Sequence, residues 1–259
     1  MRVPVVQQHS RRRRALRRRA LWTGGELLVT AGVVLLLLVV QQLWWTNREA
    51  RRGAERQVQA LERQWGTQTP TSPSSTSPST PANTEAADGS SPHRTTTTAT
   101  GSGGSTTPHP SQAYAILTIP RLHLRVPIAE GVSKRKVLNK GYVGHYPGTQ
   151  QPGQAGNFAL AGHRNTHGEP FRYLPRLRLK DTVRVETSTA TYTYTVDKIL
   201  PQTSAADSGV IRPVPRSTVK PSYGYSRPGY YITLTTCTPE FTSRYRMVVW
   251  GTLTSTRPR

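Results

Sequence analysis

The chain has 259 residues, a formal net charge of +22 and a single cysteine, Cys237. A chain with one thiol cannot form an internal disulfide. The large positive net charge favours anionic partners: phospholipid, nucleic acid or acidic wall polymers. The charge is concentrated at residues 1–65, with thirteen Arg against four Glu, and at residues 112–259, with 21 Lys and Arg against seven Asp and Glu.

The N-terminus predicts a transmembrane anchor over residues 21–45. A basic tail, residues 1–20, contains eight arginines and leads into a mostly apolar stretch, Leu27–Trp45. At ~1.5 Å per residue a helix of that length crosses the ~30 Å hydrocarbon core, and Trp22 and the pair Trp44–Trp45 occupy the interfacial positions that tryptophan prefers. This order of residues favours a lipid membrane over nucleic acid as the anionic partner.

The distribution of arginines predicts the orientation of this anchor. Eight arginines precede the apolar stretch and five follow it, so the positive-inside rule places the tail in the cytoplasm and the rest of the chain outside the cell. A cleaved signal peptide is the alternative, but it needs small residues at a cleavage site, where bulky Trp44 and Trp45 stand instead. An uncleaved, single-pass anchor in the cell membrane is therefore the prediction.

Two segments of different composition follow the anchor. Residues 46–65 are rich in Arg, Glu, Gln and Ala and predict a juxtamembrane helix, whereas residues 66–111 consist almost entirely of Thr, Ser, Pro, Gly and Ala. A segment of the second kind has too few apolar side chains to bury a core, so we expect a disordered tether. Fully extended, it would reach on the order of 150 Å and would hold a domain away from its anchor.

Residues 112–259 predict one domain rich in β-strands, because runs of Val, Ile, Thr and Tyr alternate there with Pro and Gly. The predicted strands are Tyr114–Ile119, Leu124–Ala129, Asn157–Ala161, Thr182–Glu186, Tyr192–Leu200, Tyr230–Thr236 and Arg246–Leu253. Short helical pieces are predicted at Ser133–Leu138 and Pro170–Leu174, and a long loop at 201–229. This pattern favours a β-barrel with the loop over one end.

Cys237 ends a predicted strand, a position at which β-scaffolds commonly present functional groups. A free cysteine more often packs in a core than reacts, so a reactive role needs a partner that promotes the thiolate. His163 also ends an apolar strand and is the best candidate, although a lone histidine is more often structural.

Arg246 begins the strand after Cys237 and can supply fixed positive charge to an oxyanion, with Arg244 as the runner-up. Both arginines can equally be solvated edge charges.

Several motifs in residues 112–259 resemble those of the sortase family. The run Thr233–Cys237 with Arg246 downstream is similar to the family's TLxTC signature and its arginine. The segment 144–164, ending in Gly-His-Arg, is similar to the family's histidine region, and residues 119–128 resemble its first strands. The resemblance covers essentially the whole predicted domain.

The resemblance implies a mainly β fold, a closed eight-stranded barrel with short helices. No cofactor is predicted, and no acidic cluster with the spacing of a calcium loop is visible in the sequence. It implies that Cys237 is the nucleophile and His163 its acid/base partner, and that Arg246 stabilises the oxyanion or substrate. One departure is Lys180, since the family usually has a Gly-Asp turn where this chain has Lys-Asp. We add the hypothesis that the thiol and imidazole are productive only as a minor thiolate/imidazolium pair.

The resemblance also implies a reaction. Sortases cleave an LPxTG-like sorting signal between Thr and Gly, form a thioacyl-enzyme and transfer the protein to an amine of the peptidoglycan precursor. The N-terminal anchor and the run from Cys237 to Arg246 look most like the actinobacterial class E enzymes, which prefer an LAxTG-type signal; class C enzymes usually carry a lid and a second membrane segment. The implied partners are secreted proteins with such C-terminal signals, a peptidoglycan amine and the lipid membrane of a Gram-positive cell.

Three alternatives remain at this point. An L,D-transpeptidase is also a cysteine acyltransferase of the wall, but it would show a Ser-x-Gly-Cys-type motif, whereas Thr235 and Thr236 precede Cys237. A cysteine peptidase that transfers the acyl group to water would share the same residues. A non-catalytic envelope-binding module would use its basic surface to hold anionic polymers, and loss of the thiol would then leave its function intact.

Overall fold

A computed structural model describes residues 9–66 and 108–259. The predicted tether at 66–111 therefore lies almost wholly outside the described residues, as do the first eight residues of the basic tail. The described part comprises one long helix and one β-barrel.

The helix, α1 (His9–Gly66), joins the predicted anchor and the predicted juxtamembrane helix into one element. Continuity follows from composition, because the segment contains no proline and is dominated by Leu, Arg, Ala, Glu and Gln, which favour helix. The large apolar side chains from Leu27 to Val40 are exposed. In the described part of the chain, α1 is the one helix long and apolar enough to cross a membrane.

The barrel contains eight strands and confirms the predicted fold. In chain order they are β1 (Ala113–Ile119), β2 (Leu124–Glu130), β3 (Val143–His145), β4 (Gly156–Ala161), β5 (Thr182–Glu186), β6 (Ala190–Ser204), β7 (Tyr230–Thr238) and β8 (Tyr245–Pro258). They close in the order β1-β2-β3-β4-β7-β8-β6-β5. The β2–β3 and β4–β7 pairs are parallel, and the other pairs are antiparallel.

Three predictions of local structure need correction. Strand β3 was missed because three residues are too short to show an alternating pattern. The predicted helical pieces are turns that end in single 3-10 turns at Leu138–Lys140 and Leu174–Arg176. The loop predicted at 201–229 begins later, because β6 extends through Ser204 along its partner β8.

The packing of the barrel interior determines which side chains of β7 point outwards. Ile232 and Leu234 point into a core that also contains Phe158 and Val249. Because successive side chains alternate across a strand, Thr233, Thr235 and Cys237 point outwards. On this outer face Trp250 packs with Val248, Leu200 and Val210, the last in a 3-10 turn of the loop after β6.

The membrane-distal half of α1 packs against the barrel. Val58, Leu61 and Trp65 form a buried cluster with Ile116 of β1. Close approach depends on Gly141, which has φ +79° and where a Cβ would lie 2.8 Å from the Ala50 carbonyl oxygen. This packing differs from the expectation of a domain held away from its anchor. Its cause is an apolar stripe at helical spacing, formed by the buried residues Ala50, Ala54, Val58, Leu61 and Trp65.

The departure at Lys180 has a backbone consequence, because this exposed residue has φ +76°, in the left-handed region. A side chain there costs about 1–2 kcal/mol that glycine avoids, partly offset by the greater freedom of glycine in the unfolded chain. We expect Lys180→Gly to raise the free energy of unfolding by about 0.5–1 kcal/mol in denaturant titrations. Lys180→Ala keeps the unfavourable φ and should give no gain; an equal gain from both would show that the backbone is not the cause.

Candidate active site

Strand pairing places Cys237 and Arg246 directly opposite each other. The β7–β8 ladder pairs Thr236 with Met247, Cys237 with Arg246 and Thr238 with Tyr245. Residues opposite each other on adjacent strands point to the same side of the sheet, so the thiol and the guanidinium share the outer face. Cys237 is half-buried at this strand end. The predicted pairing across the turn between the two strands is thus present.

His163 continues the parallel pairing of β4 with β7. The ladder ends with Ala161 opposite Thr235, and the Gly162 N–H then donates to the Thr235 carbonyl at 3.1 Å. The Thr236 hydroxyl donates to the Gly162 carbonyl at 2.9 Å. Continued for two residues beyond the end of β4, the same register would bring His163 level with Cys237 on the outer face.

Arg164 keeps the chain after His163 against the end of β7. Its Nη1 donates to the Cys237 carbonyl at 3.2 Å and to the Thr238 hydroxyl at 3.0 Å. Arg164 was noted in the sequence only as part of the Gly-His-Arg motif, and its contacts with the end of β7 were not predicted. Arg164 therefore ties the chain just after His163 to the end of β7 that carries Cys237.

A second polar residue that the sequence analysis missed orients the imidazole. His163 Nε2 lies 2.9 Å from Asn139 Oδ1, in the 3-10 turn after β2. An amide oxygen only accepts, so Nε2 carries the proton and Nδ1 is the acceptor. The ring also stacks on His167 with 5.5 Å between centroids. His163 is therefore held as a neutral ring with one nitrogen ready to take a proton.

The surroundings of His163 oppose its protonation. Burial is the largest influence, followed by the neighbouring His167 and Lys134, and together they lower its pKa to about 4. At neutral pH the imidazole is accordingly unprotonated, and this state is lost as the pH falls through 4. The hypothesis of a minor thiolate/imidazolium pair stays a prediction.

Lys134 offers a test of this electrostatic arrangement. Reversing its charge should raise the pKa of His163 towards its ordinary value, so the acid limb of the pH profile of kcat/KM should move to higher pH by roughly half a unit or more. Lys136 is similarly exposed but is not among the groups that lower the pKa of His163. Lys136→Glu is therefore the matched control, and equal movement in both variants would contradict a specific effect of Lys134.

The two candidate arginines are not equivalent in the structure. Arg246 Nη1 donates to the carbonyls of Ser243 at 2.8 Å and Tyr245 at 3.0 Å, which uses two of the five guanidinium hydrogens. Its Nε and Nη2 remain available for a ligand beside Cys237. Arg244 lies in the turn before β8, with its guanidinium over the Tyr245 ring at 5.1 Å. The strand register therefore favours Arg246 over Arg244 as the candidate residue for stabilising an oxyanion or substrate.

His145 has a structural role instead. It is buried, and its Nδ1 lies 2.6 Å from a Glu130 carboxylate oxygen. Its Nε2 lies 2.9 Å from the Thr149 hydroxyl. Both ring nitrogens therefore have partners within the fold, away from the outer face of β7.

Comparison with known proteins places this site in a family. A family model described as a Sortase domain matches residues 117–254. Sortase SrtE1 of Streptomyces coelicolor is 53% identical over 155 residues, covering 58% of this chain and 43% of SrtE1. Sortase SrtE2 of the same organism is 37% identical over 134 residues, covering 50% of this chain and 51% of SrtE2. The chain thus spans about half the length of these curated relatives.

A solved structure agrees with these sequence matches. The crystal structure of Sortase E1 from Streptomyces coelicolor, described as having a tripeptide in its active site, superposes with a TM-score of 0.55 at 52% sequence identity. The match covers 59% of this chain and 94% of the other. The match therefore includes nearly all of the other chain and about three fifths of this one.

Proposed function

This chain belongs to the sortase family, in its class E branch, and on that premise we propose that it is a membrane-anchored cysteine transpeptidase. It cleaves an LAxTG- or LPxTG-type signal between Thr and Gly and transfers the threonyl group to a peptidoglycan amine. The observation that supports the proposal is the strand register, which pairs Cys237 with Arg246 and aligns β4, the strand before His163, with β7.

Each of the three side chains has a role in acylation. The thiol proton of Cys237 first moves to His163 Nδ1, which gives the minor thiolate/imidazolium pair, and the thiolate then attacks the threonine carbonyl carbon. The carbonyl π electrons move to oxygen, and the resulting oxyanion lies beside the remaining donors of Arg246. When the intermediate collapses, the C–N bond breaks and His163 returns its proton to the departing glycine amine. The product is a thioester on Cys237.

Deacylation reverses these roles with a new nucleophile. The peptidoglycan amine attacks the thioester carbon, His163 removes a proton from that nitrogen, and the C–S bond breaks to restore the thiol. No redox partner or metal is needed, because each step exchanges one acyl bond for another. With water in place of the amine, the same steps give hydrolysis, which is the peptidase alternative.

The domain organisation supports a surface enzyme. We assign residues 1–20 to the cytoplasm, 21–45 to the membrane span, 46–65 to the juxtamembrane part of α1, 66–111 to a tether and 112–259 to the extracellular catalytic domain. The long helix with exposed apolar side chains supports the span. The excess of arginine before the span supports the orientation.

Peptide turnover tests this function. The full chain is incubated with LAxTG and LPxTG peptides, with and without a peptidoglycan-like amine, and the products are identified by mass spectrometry. Cleavage between Thr and Gly with an amine-linked product is expected. Cleavage that yields only the free acid when the amine is present would indicate a peptidase. No turnover of either peptide would contradict the proposed substrate class.

Arg246 should matter mainly for the chemical step. Arg246→Ala removes the cation opposite Cys237, and we expect kcat/KM for the peptide to fall on the order of 10²-fold, largely through kcat. Arg246→Lys should recover only part of the loss, because an ammonium lacks the planar fork. Arg244→Ala is the matched control and should change kcat/KM by less than about threefold. A larger loss from Arg244→Ala would make the runner-up the stabilising residue.

A further inference from the structure

The two loops that flank the active site both contact α1 close to its tryptophan pair. On one side, Asn139, Lys140 and Tyr142 line a groove whose other wall is Trp45–Ala50. Asn139 is also the residue that holds His163 Nε2. One polar contact therefore separates the catalytic imidazole from the groove beside Trp45.

The loop after His163 forms the second attachment. Glu169, whose side chain is 4% exposed, accepts from Asn47 Nδ2 at 2.8 Å and from Arg51 Nη2 at 2.9 Å. The Gly168 N–H donates to Asn47 Oδ1 at 3.2 Å, and Arg51 Nε donates to the Gly168 carbonyl at 3.1 Å. Gly168 and Glu169 are therefore held by hydrogen bonds to the first turns of α1 beyond Trp45.

The opposite end of the barrel lies much farther along α1. Trp65 packs on Ile116, and its ring lies beneath the Arg259 guanidinium, 4.8 Å from the ring centroid. The Arg259 N–H in turn donates to the Thr189 carbonyl. At 1.5 Å per residue, Trp65 is ~30 Å beyond Trp45 along the axis, whereas Arg51 is only ~9 Å beyond it. The catalytic end of the barrel is therefore the membrane-proximal end.

The proximal end also carries a strongly basic rim. We define it as Lys134, Arg135, Lys136 and Lys140 of the barrel together with Arg48 and Arg52 of α1, all exposed. No acidic residue occurs between 131 and 147. The Asn139 N–H donates to the Lys134 carbonyl at 2.7 Å, so the basic segment stays next to the groove.

We propose that this rim binds anionic phospholipid headgroups and holds the catalytic end of the barrel against the outer surface of the membrane. Lys and Arg side chains near an anionic bilayer are attracted to it. Within the rim, Arg48 lies only ~4.5 Å beyond Trp45 along the axis of α1, and Lys140 lines the groove beside Trp45. The proposal rests on the membrane anchor proposed above. It means that Cys237 acts on signals and amines presented at the membrane surface.

Fluorescence quenching in vesicles tests this orientation. In the full chain with Cys237→Ala, a fluorophore is attached at Ser133→Cys in the rim or at Ser188→Cys, the exposed matched site at the distal end. The chain is reconstituted in phosphatidylcholine vesicles with or without phosphatidylglycerol, each containing a lipid with a nitroxide headgroup. With phosphatidylglycerol we expect quenching at 133 to exceed that at 188 by about threefold or more, because the bound rim brings residue 133 close to the nitroxide headgroups and leaves residue 188 at the distal end of the barrel.

Charge reversal distinguishes binding of the rim to anionic headgroups from mere proximity of the rim to the membrane. Lys134→Glu with Lys136→Glu should lower the quenching at 133 by about half or more in anionic vesicles, whereas Arg184→Glu with Arg257→Glu should not, since these exposed arginines lie away from the rim. Equal quenching at 133 and 188, or equal quenching at 133 with and without phosphatidylglycerol, would overturn the proposal. A chain that fails to sediment with vesicles would instead refute the anchor. Peptide turnover is not part of the readout, so failure here is distinct from failure of the proposed reaction.

Discussion

Replacing Cys237 with alanine is expected to abolish turnover, with kcat/KM for a sorting-signal peptide falling on the order of 10⁴-fold or more. The reason is that the proposed thioester forms on the Cys237 sulfur, whereas the proposed roles of His163, proton transfer, and of Arg246, oxyanion stabilisation, supply no nucleophile. The loss is measured by following Thr–Gly cleavage in the wild type and the variant at equal protein concentration.

The same variant should leave the fold intact. Cys237 is half-buried on the outer face, and its backbone carbonyl still accepts from Arg164, so the free energy of unfolding should change by less than about 1 kcal/mol. Cys237→Ser should also be nearly inactive, because an alcohol is a poorer nucleophile than a thiol at neutral pH. Turnover by Cys237→Ala at the wild-type rate would indicate a non-catalytic binding module.

Replacing His163 with glutamine should cause the second large loss, on the order of 10³-fold in kcat/KM. Glutamine can keep a polar contact with Asn139 but cannot take up and return a proton, so acylation and deacylation both slow. The assay is the initial rate of peptide cleavage measured across the pH range. The acid limb that reflects the pKa of His163, lowered to about 4, should disappear from the profile.

His167→Gln is the matched control for this second loss. His167 stacks on His163 and lowers its pKa, so its removal should move the acid limb to higher pH while the rate at neutral pH changes by less than about tenfold. If His167→Gln instead caused the greater loss of rate, the assignment of the acid/base partner would be reversed.

Most strands of the barrel and the placement of Cys237 and Arg246 were predictable because they rest on local patterns. The alternation in Tyr230–Thr236 already placed Cys237 on the face opposite Ile232 and Leu234, and strand pairing then determined the side on which Arg246 would stand. The proximity of His163 depended on parallel pairing of β4 with β7, two strands separated by 68 residues. Periodicity carries no information on such pairing, and only the family resemblance suggested it.

The supporting contacts were not predictable from local patterns. Asn139 reaches His163 from a turn 24 residues away, and nothing in its sequence neighbourhood marks it. The packing of α1 against the barrel, by contrast, is indicated by a pattern in the sequence. Ala50, Ala54, Val58, Leu61 and Trp65 recur at helical spacing, but the many charges between them obscured a stripe that is apolar on one face only. The tether composition then suggested separation where the structure has contact.

The most direct test of the proposed chemistry is the intact mass of the protein during turnover without an acceptor amine. With an LAxTG peptide the wild type should gain the mass of the fragment up to threonine, located at Cys237 by peptide mapping, and should lose that mass when an amine is added. Cys237→Ala should gain nothing. An unmodified wild-type protein during steady cleavage, or an adduct on any residue other than Cys237, would contradict a thioacyl-enzyme at this site.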